Sequence, residues 1–190
     1  MASRHQHIFR AIIFSLIVIG LSGCAELGRN CGFERQPVKV AADRDAGLID
    51  PTVRETTIAA LTTIPAPRDP EERYDRRYMP VETTIWRIRA TLRDISFFAE
   101  DGDYDLILAD ETGHTMIVEA PEPRCATGSA VAVQIADVRR RIAARFPAVP
   151  ARPGIPVTLT GVGFFDIIRG FPGQAPNGIE LHPILAIEWR

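Results

Sequence analysis

Alternation of apolar and polar side chains is strongest over residues 84–92, where Trp86, Ile88, Ala90 and Leu92 take one parity and Arg87, Arg89 and Thr91 the other. A period of two predicts a strand with one buried face. At Arg93-Asp94 the phase flips, so that Ile95 and Phe97 carry the apolar parity. A one-residue shift turns every side chain to the opposite face, so a continuous strand here requires a bulge. Glu100-Asp101-Gly102-Asp103 predicts a turn, residues 104–109 a second strand, Glu111-Thr112-Gly113 another turn and residues 114–119 a third strand. Over residues 129–146 the period changes. Val131, Ile135, Val138, Ile142 and Phe146 recur at helical spacing opposite Arg140, Arg141 and Arg145, which predicts an amphipathic helix closed by Pro147. Strands at residues 157–165 and 179–189 complete the pattern.

Three strands, a helix and two more strands, the first long and bent, is the order of an OB-like five-stranded β-barrel (β-β-β-α-β-β), a partly open Greek key. The expected fold is therefore mainly β with one or two helices. Gly161 and Gly163 suit a tight barrel corner, whereas Pro183 cannot donate to a ladder and must lie at an edge or a bulge. An open α+β sandwich built from the same elements is the competing architecture.

Ahead of the barrel, assigned to residues 81–190, the text is polar and punctuated by Pro65, Pro67, Pro70 and Pro80. Residues 24–80 are expected to form an N-terminal extension with one short helix. Asp50 serves as its N-cap, Pro51 as its first position, and Val53, Ile58 and Leu61 as its apolar face before Pro65 ends it. A disordered tether competes with this reading. One parity of the second and third barrel strands presents Asp105, Ile107, Thr115, Ile117 and Glu119, with no ring and no cation. Ile107 and Ile117 need cover, which the helix carrying Ile58 and Leu61 is expected to give.

At the N-terminus, Arg4 and Arg10 precede an apolar run over residues 11–21, and no acidic residue appears before Glu26. The run is shorter than the roughly 20 residues that span a bilayer, and has the form of an export signal. Leu21-Ser22-Gly23-Cys24 resembles the lipobox of bacterial lipoprotein precursors at each position in order. The resemblance implies that residues 1–23 are a signal peptide, that cleavage falls before Cys24, and that acyl chains on Cys24 anchor the protein to a membrane. Ala25, where an aspartate would mark inner-membrane retention, resembles the outer-membrane sorting pattern of a two-membrane bacterium.

Loss of residues 1–23 takes two of the 22 basic residues and none of the 24 acidic ones, leaving 167 residues with a net charge of −4. That length suits one domain, and the charge disfavours a uniformly basic nucleic-acid binder. With Cys24 acylated, Cys31 and Cys125 remain as a pair in an oxidising compartment, expected to form a disulfide, with two free thiols as the alternative. Paired short cysteine or histidine spacings of a zinc site are absent, and neither a resident metal nor a cofactor is expected.

The segments Cys31-Gly32-Phe33-Glu34-Arg35 with Val38-Lys39, Asp101-Gly102-Asp103-Tyr104, Gly161-Val162-Gly163-Phe164-Phe165-Asp166 and Ala175-Pro176-Asn177-Gly178-Ile179-Glu180-Leu181-His182-Pro183 resemble a family of uncharacterised exported bacterial proteins. The resemblance spans most of the mature chain and implies no activity. This chain departs from that pattern at Asp105, where relatives carry histidine, and in Ile167-Ile168-Arg169-Gly170, which lacks another histidine.

Chemistry must rest on what remains. Glu180 and His182 share a parity in the last strand, and Asp166 ends the strand before it, so Asp166, Glu180 and His182 form a candidate ligand or divalent-metal cluster. The plainer reading makes them turn and hydrogen-bonding residues. Glu100, Asp101, Asp103, Asp105 and Asp110 form a second acidic group. With Arg87, Arg89 and Glu119 it invites comparison with thermonuclease-like phosphodiesterases, although the spacing is not distinctive. The chain has no phosphate-cradling glycine loop, no nucleophile elbow and no His-Glu-x-x-His. The expectation is a membrane-anchored envelope domain, non-catalytic, binding an envelope protein or a small molecule. A metal-dependent extracytoplasmic phosphoesterase or nuclease is the alternative.

Overall fold

The computed structural model describes residues 31–190; the signal peptide and Cys24 expected from the sequence lie outside them. Six strands form one sheet: β1 (Asp50–Thr56), β2 (Thr84–Phe97), β3 (Tyr104–Ala109), β4 (Thr115–Ala120), β5 (Ile155–Phe165) and β6 (Ile179–Trp189). Their order is β1-β2-β3-β4-β6-β5, and β5 returns to pair with β2. Strands β2 to β6 thus close a five-stranded barrel of the expected OB-like order, with β1 added outside it.

Closure depends on the length and bend of β2. Its first half pairs antiparallel with β5 from Ile85 to Leu92, and its second half pairs with β3 from Thr91 to Phe97. The register slips between Leu92 and Asp94, the bulge that the phase flip at Arg93-Asp94 demands. Ile88 and Leu92 before the slip and Ile95 after it are all buried in one core. A second slip system lies in β6. Thr160, Gly161 and Gly163 of β5 pair with Ala186, Ile184 and Leu181, so Pro183 falls in a bulge, where it interrupts no ladder. These slips bring Ile179, Leu181, Ile184 and Ile187 inward and leave Leu185 outside the core, contrary to the unbroken parity that the sequence suggests.

At the corner, a Cβ on Gly163 would stand 2.5 Å from the Val81 carbonyl oxygen and 2.8 Å from Trp86 Nε1. Gly163→Ala is expected to lower stability by about 1–3 kcal/mol, because backbone and an indole must move to admit the methyl group. An unchanged urea midpoint would refute this.

Three helices flank the sheet: α1 (Gln36–Lys39), α2 (Ile58–Thr62) and α3 (Ala132–Arg145). Helix α3 buries Ile135, Val138 and Ile142, the stripe read from the spacing, and begins three residues later than Ser129. Among the described residues, no helix is long and apolar enough to cross a membrane.

The extension differs from the sequence reading. Asp50 to Thr56 is a strand, parallel to the first half of β2, and the helix is only the turn that follows it. Asp50 and Pro51 mark a helix start and an exposed edge strand equally well, and Thr52, Val53 and Thr56 favour the strand. Thr57 is the true cap, its hydroxyl accepting from the Ala60 N–H at 3.1 Å. Val53 points to solvent, while Ile58 and Leu61 are fully buried in the barrel core. The segment 31–50 adds α1 and is tied down by the Cys31–Cys125 disulfide.

Candidate functional site

The barrel is weakest as a barrel between β4 and β6, where Val118 opposite Leu181 makes the one parallel pairing. Side chains on either side of that seam meet where backbones do not. Glu119 follows Val118 in β4, and Glu180 and His182 bracket Leu181 in β6. All three point away from the apolar core, and all three are buried, with Glu180 and His182 at 1% and 0% exposure.

Above the seam lies a cleft of about 440 Å³. Its floor is Asp105 and Ile107 of β3, Ile117 and Glu119 of β4, and Glu180 of β6. One wall is the β2–β3 loop with Phe98 and Asp101, another the β5–β6 loop with Asp166, Arg169, Phe171 and Pro172, and a third the N-terminal segment with Glu34 and Lys39. These loops and this face are where OB barrels commonly hold oligonucleotides or oligosaccharides.

The β5–β6 loop is built to lie there. Gln174 accepts from the Arg169 and Gly170 N–H groups through Oε1 and donates to the Ile167 carbonyl through Nε2. Asn177 donates to the carbonyls of Leu61 and Ile64, both at 2.9 Å, and so fastens the loop to the end of α2. Gly173, at φ +85°, rests on Ile107, where a Cβ would come within 2.5 Å of the side chain. Ile107 is therefore covered by this loop; α2, the cover expected from the sequence, packs into the core instead.

The charges of the cleft are strongly unequal. Arg169 is engaged by Glu34 and Asp166. Lys39, nine-tenths buried, is left facing several carboxylates. Burial works to lower its pKa, but Glu119, Asp166, Glu180 and Asp103 overcome this and hold the ammonium above the ordinary lysine value. Burial first, then Glu119 and Asp101, pushes Asp105 up to about 8. Burial first, then Asp101 and Glu119, pushes Asp103 likewise to about 8. Glu180 is raised well above the usual carboxylate range by burial and then by Glu119 and Asp166. Glu119 goes the other way: burial favours its neutral form, but His182 and Lys39 outweigh it and take the carboxyl down to about 2. Burial thus holds Asp105 and Glu180 toward their protonated forms, which donate as well as accept hydrogen bonds, beside Glu119, which is held toward its ionised form.

Beneath the floor, His182 stands between two acids. Its Nδ1 is 3.1 Å from Glu119 Oε2 and its Nε2 3.6 Å from Asp103 Oδ2, yet neither nitrogen has an aligned hydrogen bond. The ring packs edge-on against Phe164, with centroids 5.5 Å apart.

The structure divides the candidate residues accordingly. Asp166 and Glu180 line the cleft, while His182 lies below it and meets Asp103 and Glu119. Of the acidic group, Glu100, Asp101 and Asp105 line the cleft and Asp103 lies beneath it. Asp110 is in the β3–β4 turn, capping the Thr112 and His114 N–H groups. Arg87 faces Thr160 and Glu55, and Arg89 borders a separate hollow beside Pro156. The arginine-and-acid pairing of a thermonuclease-like site is therefore not assembled on this face. Cys31 and Cys125 are joined, with Cα atoms 5.5 Å apart. The sequence reading missed the roles of Arg35 and Lys39, which come from the extension. Arg35 stacks on Phe164 at 4.9 Å and Lys39 approaches the same ring at 5.7 Å, yet nothing in their sequence context separates them from surface cations.

No family model matches the chain, and no curated protein matches it. Among solved structures, the chain is similar to the OBody AM2EP06 bound to hen egg-white lysozyme, with a TM-score of 0.38 and 13% identity over 55% of this chain and 77% of the other. It is also similar to the OBody AM3L09 bound to hen egg-white lysozyme, with a TM-score of 0.39 and 12% identity over 57% of this chain and 83% of the other.

Proposed function

We propose that the chain is an envelope domain, anchored to a membrane through acylated Cys24, that binds a short saccharide in the acidic cleft and does not transform it. The observation that carries this reading is the composition of the cleft. Phe98 and Phe171, at 44% and 52% exposure, stand at its walls, and Ile107 and Ile117 make an apolar strip between Asp105, Glu119 and Glu180 on its floor. Sugar rings have apolar faces that rest on aromatic or aliphatic side chains and hydroxyl edges that bridge to carboxyl groups. A volume of about 440 Å³ lies in the ordinary range for small-molecule sites. The cleft disfavours an oligonucleotide, because Lys39 and Arg169 already face carboxylates and leave phosphates no ready cation. The lipobox resemblance supports the envelope as the place where such a ligand is met.

Titration of the protein with di- and trisaccharides containing hexose or hexosamine, followed by amide chemical shifts, tests the proposal. Shifts should gather on β3, β4 and the β5–β6 loop, and Phe171→Ala or Glu180→Ala should weaken binding about tenfold or more, the loss of one stacked ring or one buried hydrogen-bonding carboxyl. Shifts produced by oligothymidylate but by no saccharide would overturn the saccharide reading. Release of shortened sugars would overturn the non-catalytic part of it.

A further inference from the structure

We propose that Asp103, Glu119 and His182 hold a divalent transition-metal ion of the zinc type beneath the cleft. The proposal stands apart from the saccharide reading. Three elements converge to make the site: the residue just before β3, the strand β4, and β6 one residue ahead of the Pro183 bulge. One ligand atom from each side chain lies within 4.8 Å of the others. Two ligands bound ~2.1 Å from one ion stand ~3–4 Å apart, so these groups need to close by at most about 1–2 Å.

A cluster of acids alone would signify little, but these groups are buried, and two of them carry polar atoms with no hydrogen bond. Asp103 and His182 are 1% and 0% exposed, and Asp103 Oδ2 and both nitrogens of His182 have no hydrogen bond. Buried polar atoms are nearly always satisfied, and Asp103 Oδ2 and His182 Nε2, 3.6 Å apart and both orphaned, mark a place where something is bound. The other oxygen of Asp103 accepts from the Glu122 N–H at 2.8 Å, which fixes the carboxylate with Oδ2 turned toward the imidazole. Each ring nitrogen faces one carboxylate.

Charge and chemistry agree on the kind of ion. Lys39 brings one positive charge to a neighbourhood that also holds Asp103, Asp105, Glu119 and Glu180. Binding of a doubly charged ion takes the place of the protons that such a crowded acidic group otherwise keeps. An imidazole with two carboxylates suits zinc or a similar first-row ion, whereas magnesium and calcium favour larger all-oxygen sets. Entry is through Glu119, which also lines the cleft floor.

The test uses the full untagged chain in mild detergent, stripped with chelator and titrated with Zn²⁺ by calorimetry and with Co²⁺ by visible absorption. One ion per chain is expected, with micromolar or tighter affinity, Co²⁺ bands shifted by the nitrogen ligand, and no displacement by millimolar Mg²⁺. His182→Asn and Asp103→Asn should each weaken binding at least ~100-fold, beyond the ~10–100-fold of an outer partner, while Asp110→Asn in the distant turn should change nothing. No heat and no Co²⁺ bands from the wild-type chain would overturn the site, whatever the variants do. Binding that survives both Asp103→Asn and His182→Asn, or that is lost in Asp110→Asn, would place the ion elsewhere and overturn it equally. Should His182→Asn fail to fold, Asp103→Asn and the wild-type titrations decide. Saccharide binding by the chelator-stripped protein, or its absence, leaves this outcome untouched.

Discussion

Glu82→Ala is expected to cost at least about 4 kcal/mol in urea unfolding, enough to leave much of the chain unfolded at moderate temperature. Glu82 is fully buried. It receives both terminal nitrogens of Arg35 at 2.7 Å, the Tyr78 N–H at 2.7 Å and the Phe165 N–H at 2.9 Å. Truncation leaves the Arg35 guanidinium, itself 2% exposed, with carbonyls but no opposing charge. Breaking one partner of a buried pair costs about 3–5 kcal/mol, and each orphaned backbone donor adds about 1–3 kcal/mol. Glu82→Gln, which keeps an acceptor but not the charge, should fall between the two proteins. A loss below about 1 kcal/mol for the alanine variant would mean that this network does not hold the extension to the barrel.

The double change Cys31→Ser, Cys125→Ser should lower stability by up to about 4–5 kcal/mol. The disulfide closes a separation of 94 residues, and in the chain-entropy account a loop of that size removes this much freedom from the unfolded state. The urea midpoint of the oxidised protein should fall to that of the double variant when a reductant is added. The variant itself should not respond to the reductant. Equal midpoints for all three would show that the crosslink constrains nothing that folding has not already fixed.

Much of the barrel is legible in the sequence because β2 has one buried face and therefore alternates, while β4, β5 and the first half of β6, buried on both faces, stand as runs between turns. The bulge at Arg93-Asp94 is visible as a change of phase, and the α3 stripe as a change of period. Strand β1 leaves no such trace, since residues 51–55 are exposed on both faces and only backbone pairing with β2 defines it. The site is half legible for a related reason. Asp105 and Glu119 share a parity, as do Glu180 and His182, and strand geometry alone places each pair on a face. That the two faces meet depends on the open seam at Val118 and Leu181, a property of how the sheet curls. Buried cations are the least legible part. Arg35 and Arg77 look in the sequence like the surface arginines, and only tertiary partners such as Asp43, 2.6 Å from Arg77, distinguish them.

The N-terminal segment is fastened to the rest of the protein by the Arg35–Glu82 pair, the Asp43–Arg77 pair and the disulfide among other contacts, and it also supplies Glu34 and Lys39 to the cleft. A ligand seated there touches the segment and the barrel at once and becomes a further attachment. Its binding energy is then drawn partly from fastening a strap, so occupancy is linked to how long that strap stays closed.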